Sequence, residues 1–162
     1  ITYDAKARVI CSLTSLEDFQ MPLIECPQAG PTMTGAALEL LCQCVDREVK
    51  RTTADQKGDW RPIAFLMTDG SPNDTALYNQ MIGEMHKRPF ASIIACAAGE
   101  EAKVEPLKKL TSHVYNLETM DGHSFAGLFK WVSSTVSVGN RSMGAASSIT
   151  LPPPPAEIQI VV

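Results

Sequence analysis

Residues 63–67, Ile-Ala-Phe-Leu-Met, form an unbroken apolar run that stops at Thr68-Asp69-Gly70, and this pattern constrains the fold most. A half-buried strand alternates apolar and polar side chains. A run without alternation, only five residues long, fits a strand buried on both faces, as in a parallel sheet. Residues 91–97 read as a second such strand ending at Ala98-Gly99, and 113–117 as a third centred on Val114 and Tyr115. Helical spacing fills the intervals. Pro72-Asn73-Asp74 opens a helix running to about Lys87, with Leu77, Met81 and Met85 inward, and 104–110 is a short helix. The clearest helix is 34–50, with Leu38, Leu41, Cys42, Val45 and Val49 on one face and Thr32 and Thr34 offering N-terminal hydroxyls. Residues 124–136 form the last, with Phe125, Leu128, Phe129, Val132 and Val136 expected inside. Strands alternating with helices imply an α/β domain with a mostly parallel sheet.

The flanks read differently. Residues 1–3 are the tail of a strand, and 6–13 follow with Ala7, Val9 and Cys11 alternating against Arg8 and Ser12, so the Asp4-Ala5 link suggests a hairpin. Residues 16–31 contain Pro22, Pro27, Gly30 and Pro31 and are expected to be irregular. The segment 52–61 is a polar loop, in which Trp60 is either a partner anchor or packing over the sheet. Residues 138–148 are rich in Gly, Ser and Ala, 152–155 are four prolines, and 156–162 are apolar. The boundary is therefore set at 1–138 for the domain and 139–162 for a tail. The tail's stiff proline spacer leads to an end expected to pack back on the domain or to add to a partner's sheet edge.

Composition narrows the function. The net charge is −4 and no Lys/Arg run exceeds two, which argues against nucleic acid as a partner. No apolar stretch approaches the ~20 residues that span a bilayer, and no signal peptide opens the chain, so a cytoplasmic protein with no membrane partner is expected. The chain starts at Ile1 without Met and reads as processed or truncated. Cys11, Cys26, Cys42, Cys44 and Cys96 include no CxxC pair and no Cys/His cluster with zinc spacing, so they read as reduced core cysteines. His86, His113 and His123 are scattered. No GxSxG, GxGxxG or phosphate-binding loop is present.

Two features carry chemistry. Asp69 ends a buried strand, where ligands of open α/β sheets bind. Its carboxylate suits a hard cation, a proton or nucleophilic attack, and the plainer alternative is that it caps the helix beginning near Asn73. Gly30-Pro31-Thr32-Met33-Thr34-Gly35 is a turn feeding a helix, able to aim a hydroxyl at a metal or simply to cap.

Gly30-Pro31-Thr32 before an amphipathic helix, followed by Phe65-Leu66-Met67-Thr68-Asp69-Gly70, resembles the second and third segments of the metal-ion-dependent adhesion site of von Willebrand factor A (VWA) domains. Ile1-Thr2-Tyr3-Asp4 through Gly58-Asp59-Trp60-Arg61-Pro62 is similar to the TerY branch, from bacterial tellurium-resistance and stress systems. The resemblance implies a doubly wound, Rossmann-like sheet lacking its first strand and helix, on the order of 40 residues. It implies Thr32 and Asp69 as metal ligands, Mg2+ or another divalent cation as cofactor, weakly held or absent in this fragment, and Ser71 and Asn73 as rim contacts. The family's Asp-x-Ser-x-Ser is missing, and Asp121-Gly122-His123-Ser124 is a misplaced imitation. The implied function is protein–protein interaction, a partner Asp or Glu completing the metal shell, with kinase-like or phosphatase-like proteins as partners. The alternative is a metal-dependent hydrolase or phosphotransferase using Asp69. Loss of the first strand also implies an open edge along 63–67, to be filled by a strand from elsewhere unless the sheet closes over the gap and pairs 63–67 with the hairpin.

Overall fold

The computed structural model describes residues 1–25, 30–100, 102–119, 121–142, 151–156 and 158–161, with side chains to Ser137 in the last helix. The chain divides into two compact units, Ile1–Asp59 with Pro72–Arg88, and Trp60–Ser71 with Pro89–Val162.

The first unit begins with a hairpin. β1 (Thr2–Tyr3) pairs antiparallel with β2 (Ala7–Arg8), a far shorter pairing than residues 6–13 suggested. Val9 and Cys11 are exposed, so the alternation beyond Arg8 has no buried face to serve. Asp4 organises the turn. Its carboxylate accepts hydrogen bonds from Lys6 N (2.8 Å) and Arg8 Nη1 (3.0 Å), which hold its carboxyl below the usual range, Arg8 contributing most. Its carbonyl accepts from Met33 N at 2.9 Å, tying the hairpin to the approach of α1 (Thr34–Glu48).

Helix α1 packs on α2 (Thr75–His86). Leu38 and Cys42 are buried as expected, and Cys44 is buried as well. On α2, Tyr78, Met81 and Met85 form the buried stripe at i, i+3 and i+7, while Leu77 is only half-buried. The Cys42 thiol donates to Met85 Sδ at 3.5 Å. At the far ends of the two helices, Arg88 Nε and Nη2 grip the Asp46 carboxylate at 3.1 and 2.5 Å, and Arg88 Nη1 reaches Glu84 O at 2.8 Å. At the near ends, a Cβ on Gly35 would stand 2.5 Å from Tyr78 N and 2.9 Å from Leu77 C. Glycine is thus what lets the first turns of the two helices touch.

The second unit is a mixed α/β layer structure. β3 (Ile63–Thr68), β4 (Ser92–Ala98), β5 (Val114–Leu117) and β6 (Gln159–Ile160) form a sheet in that order, the first three parallel and β6 antiparallel. The hairpin β1–β2 is a separate sheet. Among the described residues β3 is therefore an end strand, one neighbour short of the two-sided pairing its sequence suggested, and Phe65 is 38% exposed. Every residue of β4 is buried. Gly99, with φ of 101°, lets the chain turn off β4 in a conformation that other residues rarely adopt.

Side chains alternate across this sheet as the pleat requires. Ile94, Cys96, Tyr115 and Leu117 face α4 (Gly122–Ser142) and meet Leu128, Trp131 and Ile158. Ala95, Ala97 and Val114 face the other way, toward Leu107 of α3 (Glu105–Leu110). The expected α4 face is corrected in part. Phe129 is 60% exposed and Val136 39%, while Ser124, Leu128, Trp131 and Thr135 are buried. The reason is Tyr115, whose ring meets Trp131 edge-on at a centroid distance of 4.7 Å and so fixes the helix's rotation. Helix α4 also runs past its expected end at Val136, to Ser142. The apolar end of the chain packs back on this unit. Trp131 Nε1 donates to Pro152 O at 3.0 Å, Ile158 is 3% exposed, and β6 pairs Ile160 with Tyr115. Among the described residues, no helix is long and apolar enough to cross a membrane.

Candidate functional site

The turn leading into α1 is held by its main chain. Thr32 N donates to Asn73 Oδ1 at 2.6 Å, and Asn73 N donates back to Thr32 O at 2.9 Å. The first turn of α1 is not capped by a threonine hydroxyl. Its N-cap residue, Met33, offers no side-chain bond, and the carboxylate of Asp74 caps the helix from outside. Asp74 Oδ1 accepts from Gly35 N at 2.9 Å and Oδ2 from Ala36 N at 2.8 Å. An anion here satisfies two free N–H groups at the positive end of the helix, which a neutral hydroxyl does less well. Asp74 is also the N-cap residue of α2 and its carbonyl accepts from Tyr78 N at 2.9 Å, so one residue starts one helix and caps another. Thr32 is half-buried, and its hydroxyl makes no hydrogen bond among the described residues. Thr34 is fully buried and its hydroxyl has no hydrogen-bond partner among the described residues.

Asp69 follows β3 in the second unit. Thr68, 6% exposed, closes the strand end by accepting from Gly70 N at 3.3 Å and donating to Gly70 O at 3.2 Å. That turn leaves Asp69 exposed, and its carboxylate makes no hydrogen bond or ion pair among the described residues. It does not cap α2, since Asp74 occupies the N-cap position. Ser71, half-buried, lies two residues on in the same turn. Of the expected site residues, then, Thr32 and Asn73 meet in the first unit, and Asp69 and Ser71 share one turn in the second. Asn73 is exposed, but its amide oxygen is engaged by Thr32 N.

Sequence reading passed over Asp74 and Thr68. Asp74 carried one local signal, its place before a helix. Its service to a helix 38 and 39 residues upstream has none. Asp121 caps α4 by accepting from Ser124 N at 2.8 Å, and that backbone bond holds its carboxyl below the usual range. It is a helix cap rather than a metal segment.

Among the described residues, other reactive groups do not converge. His86, His113 and His123 are exposed on separate parts of the chain. Burial pushes the Cys96 thiol up to about 11 and raises Cys42, which disfavours thiolate chemistry at both. Cys11 is exposed, and Cys26 lies outside the described residues. Trp60 is 51% exposed. An open cleft of ≈ 540 Å³ lies between α4 and the proline segment, bordered by His123, Lys130, Pro153 and Pro155 among others. Among the described residues no group of three or more His, Cys, Asp or Glu side chains is arranged to hold a metal ion. No family model matches the chain, and neither a curated protein nor a solved structure matches it.

Proposed function

We propose that the chain is a metal-assisted protein-interaction module of the VWA type, Rossmann-like in its complete fold and similar to the TerY branch of tellurium-resistance proteins. The observation that supports this reading is a division of labour among the polar groups of the resembling segments. Asn73 and Asp74 are committed to holding backbone, whereas the Asp69 carboxylate and the Thr32 hydroxyl have no such duty. Exposed carboxylates at the carboxyl end of a parallel strand are where α/β sheets meet their ligands.

The chemistry of these donors fits a hard cation. Mg2+ takes oxygen ligands, keeps several waters and uses one or two carboxylates. Asp69 would supply the carboxylate, and the resemblance assigns Thr32 as a hydroxyl ligand, with the rest of the shell left to water and to a partner. Such an ion, when bound, supplies positive charge that a partner's Asp or Glu can neutralise. The chain's own part is to hold Thr32 by its main chain and to present Asp69 on a tight turn. Partners would be acidic surfaces of other proteins, including kinase-like or phosphatase-like ones if the TerY likeness extends to its systems, in the cytoplasm.

Manganese is a paramagnetic stand-in for magnesium and tests this directly. Titrated into the 15N-labelled chain, it is expected to broaden the amide signals of Thr32 and Asp69 together, with Mg2+ reversing the effect and Asp69→Asn abolishing it. Binding should be weak, because two protein ligands do little to replace a cation's water shell. Broadening spread over the acidic surface, with neither Thr32 nor Asp69 singled out, would remove the metal reading.

A further inference from the structure

Residues 13–24, in the first unit, carry six large apolar side chains in twelve residues, and all six are exposed. Leu16 is 90% exposed, Leu23 85% and Met21 78%, with Leu13, Phe19 and Ile24 less so. With Val9 they make up seven of the thirteen exposed large apolar side chains among the described residues, so the exposure is concentrated rather than scattered. Scattered exposed apolar residues need no explanation, but a contiguous cluster marks an interaction surface.

The segment has some order of its own. Leu13 N donates to Glu48 Oε2 at 2.6 Å, which fastens its start to the end of α1. Ser15 Oγ donates to Asp18 Oδ2 at 2.6 Å, and Asp18 N donates to Ser15 O at 3.2 Å. A serine with an acid three residues later is how helices begin. The turn at 16–18 leaves Leu16 and Phe19 three residues apart, one at its start and one just after it, both exposed. Pro22 stops this turn from growing into a long helix.

Charge selects the kind of partner. Glu17 and Asp18 are the charged residues of this stretch, Glu25 follows it directly, and there is no Lys or Arg between Arg8 and Arg47. An anionic membrane surface would repel it, since such surfaces attract basic segments. We propose that residues 13–24 are a docking hook that places Leu16, Phe19 and Leu23 in an apolar groove of a partner protein rimmed by Lys and Arg. This goes beyond the metal-assisted reading. It uses neither Thr32 nor Asp69, and its partner has the opposite charge from one that would complete a metal shell.

The test uses the whole chain and a fluorescent amphipathic peptide with leucines on one face and lysines on the other. A control peptide keeps the lysines and has serine in place of leucine. The chain is expected to bind the Leu/Lys peptide and not the control. Leu16→Ser with Leu23→Ser should weaken binding about tenfold or more, with unchanged far-UV circular dichroism because both side chains are solvent-exposed. Glu17→Lys with Asp18→Lys should weaken it several-fold, with the loss shrinking at high salt. No binding of the Leu/Lys peptide, equal affinity of the Leu-to-Ser variant, or binding of both peptides alike would overturn the proposal. So would self-association in sedimentation that the Leu-to-Ser variant abolishes, which makes a second copy the occupant. Co-flotation with phosphatidylserine vesicles that the same variant abolishes would make the occupant a lipid surface, and overturns it too.

Discussion

Replacing Asp74 with Ala removes the acceptor of two backbone N–H groups at the start of α1 while touching no buried apolar contact. The size of the effect follows from that geometry. Losing an N-terminal cap costs about 1 kcal/mol, and losing the charge at the positive end of a helix costs about 0.3–1 kcal/mol. Both bonds are part-buried, so water repairs them only in part, and roughly 1.5–3 kcal/mol is expected. At about 2–4 °C per kcal/mol for a chain of this size, the melting temperature should fall by about 3–12 °C. Asp74→Asn keeps one acceptor and loses the charge, so its cost should be nearer 1 kcal/mol. Asp74 makes no side-chain cap bond to α2, so the hydrogen bonds lost are those of α1. Urea unfolding followed by circular dichroism gives the magnitudes, and hydrogen exchange at Gly35 and Ala36 gives the location. If Asp74→Ala shifts stability by less than about 0.5 kcal/mol, as ordinary surface changes do, the capping argument is wrong.

Two further outcomes check other parts of the fold. Trp131→Phe should cost about 1–3 kcal/mol, because the Pro152 carbonyl loses its donor. Hydrogen exchange should then quicken at Ile160 and Val161 while β4 stays protected, and unchanged exchange there would show that Trp131 does not hold the chain's end. Hydrogen bonds from Arg88 lower the Asp46 carboxyl, so Asp46 favours folding above its unfolded value of about 3.9 and loses that contribution as pH falls through the folded value. The stability gap between the native chain and Asp46→Asn should therefore be level from pH 7 to 5 and shrink below about pH 4. Asp46 is 43% exposed, which limits the gap to about 0–1 kcal/mol, and a gap that widens in acid would contradict the pairing.

By itself, the sequence determined the local elements of this protein. Unbroken apolar runs announced β3 and β4, and helical spacing announced α1, α2 and α4, because both signals are written within a few residues of one another. The same signals placed Asp69 at a strand end and Thr32 before a helix. Tertiary structure decided what local pattern leaves open. Phe129 and Trp131 both lie on apolar stripes of α4, and Tyr115 on a distant strand selected Trp131. Apolar residues after Arg8 suggested a longer strand, but a strand needs a partner and a buried face, and the pairing stops at Arg8. The four prolines read as a spacer, yet a carbonyl among them is tethered by Trp131, and the residues that follow complete the sheet. The capping of α1 by Asp74 and the clasp between Thr32 and Asn73 join residues 38 to 41 positions apart. A carboxylate or an amide in a turn can satisfy many backbone groups, and only the packing of α1 against α2 determined which ones were within reach.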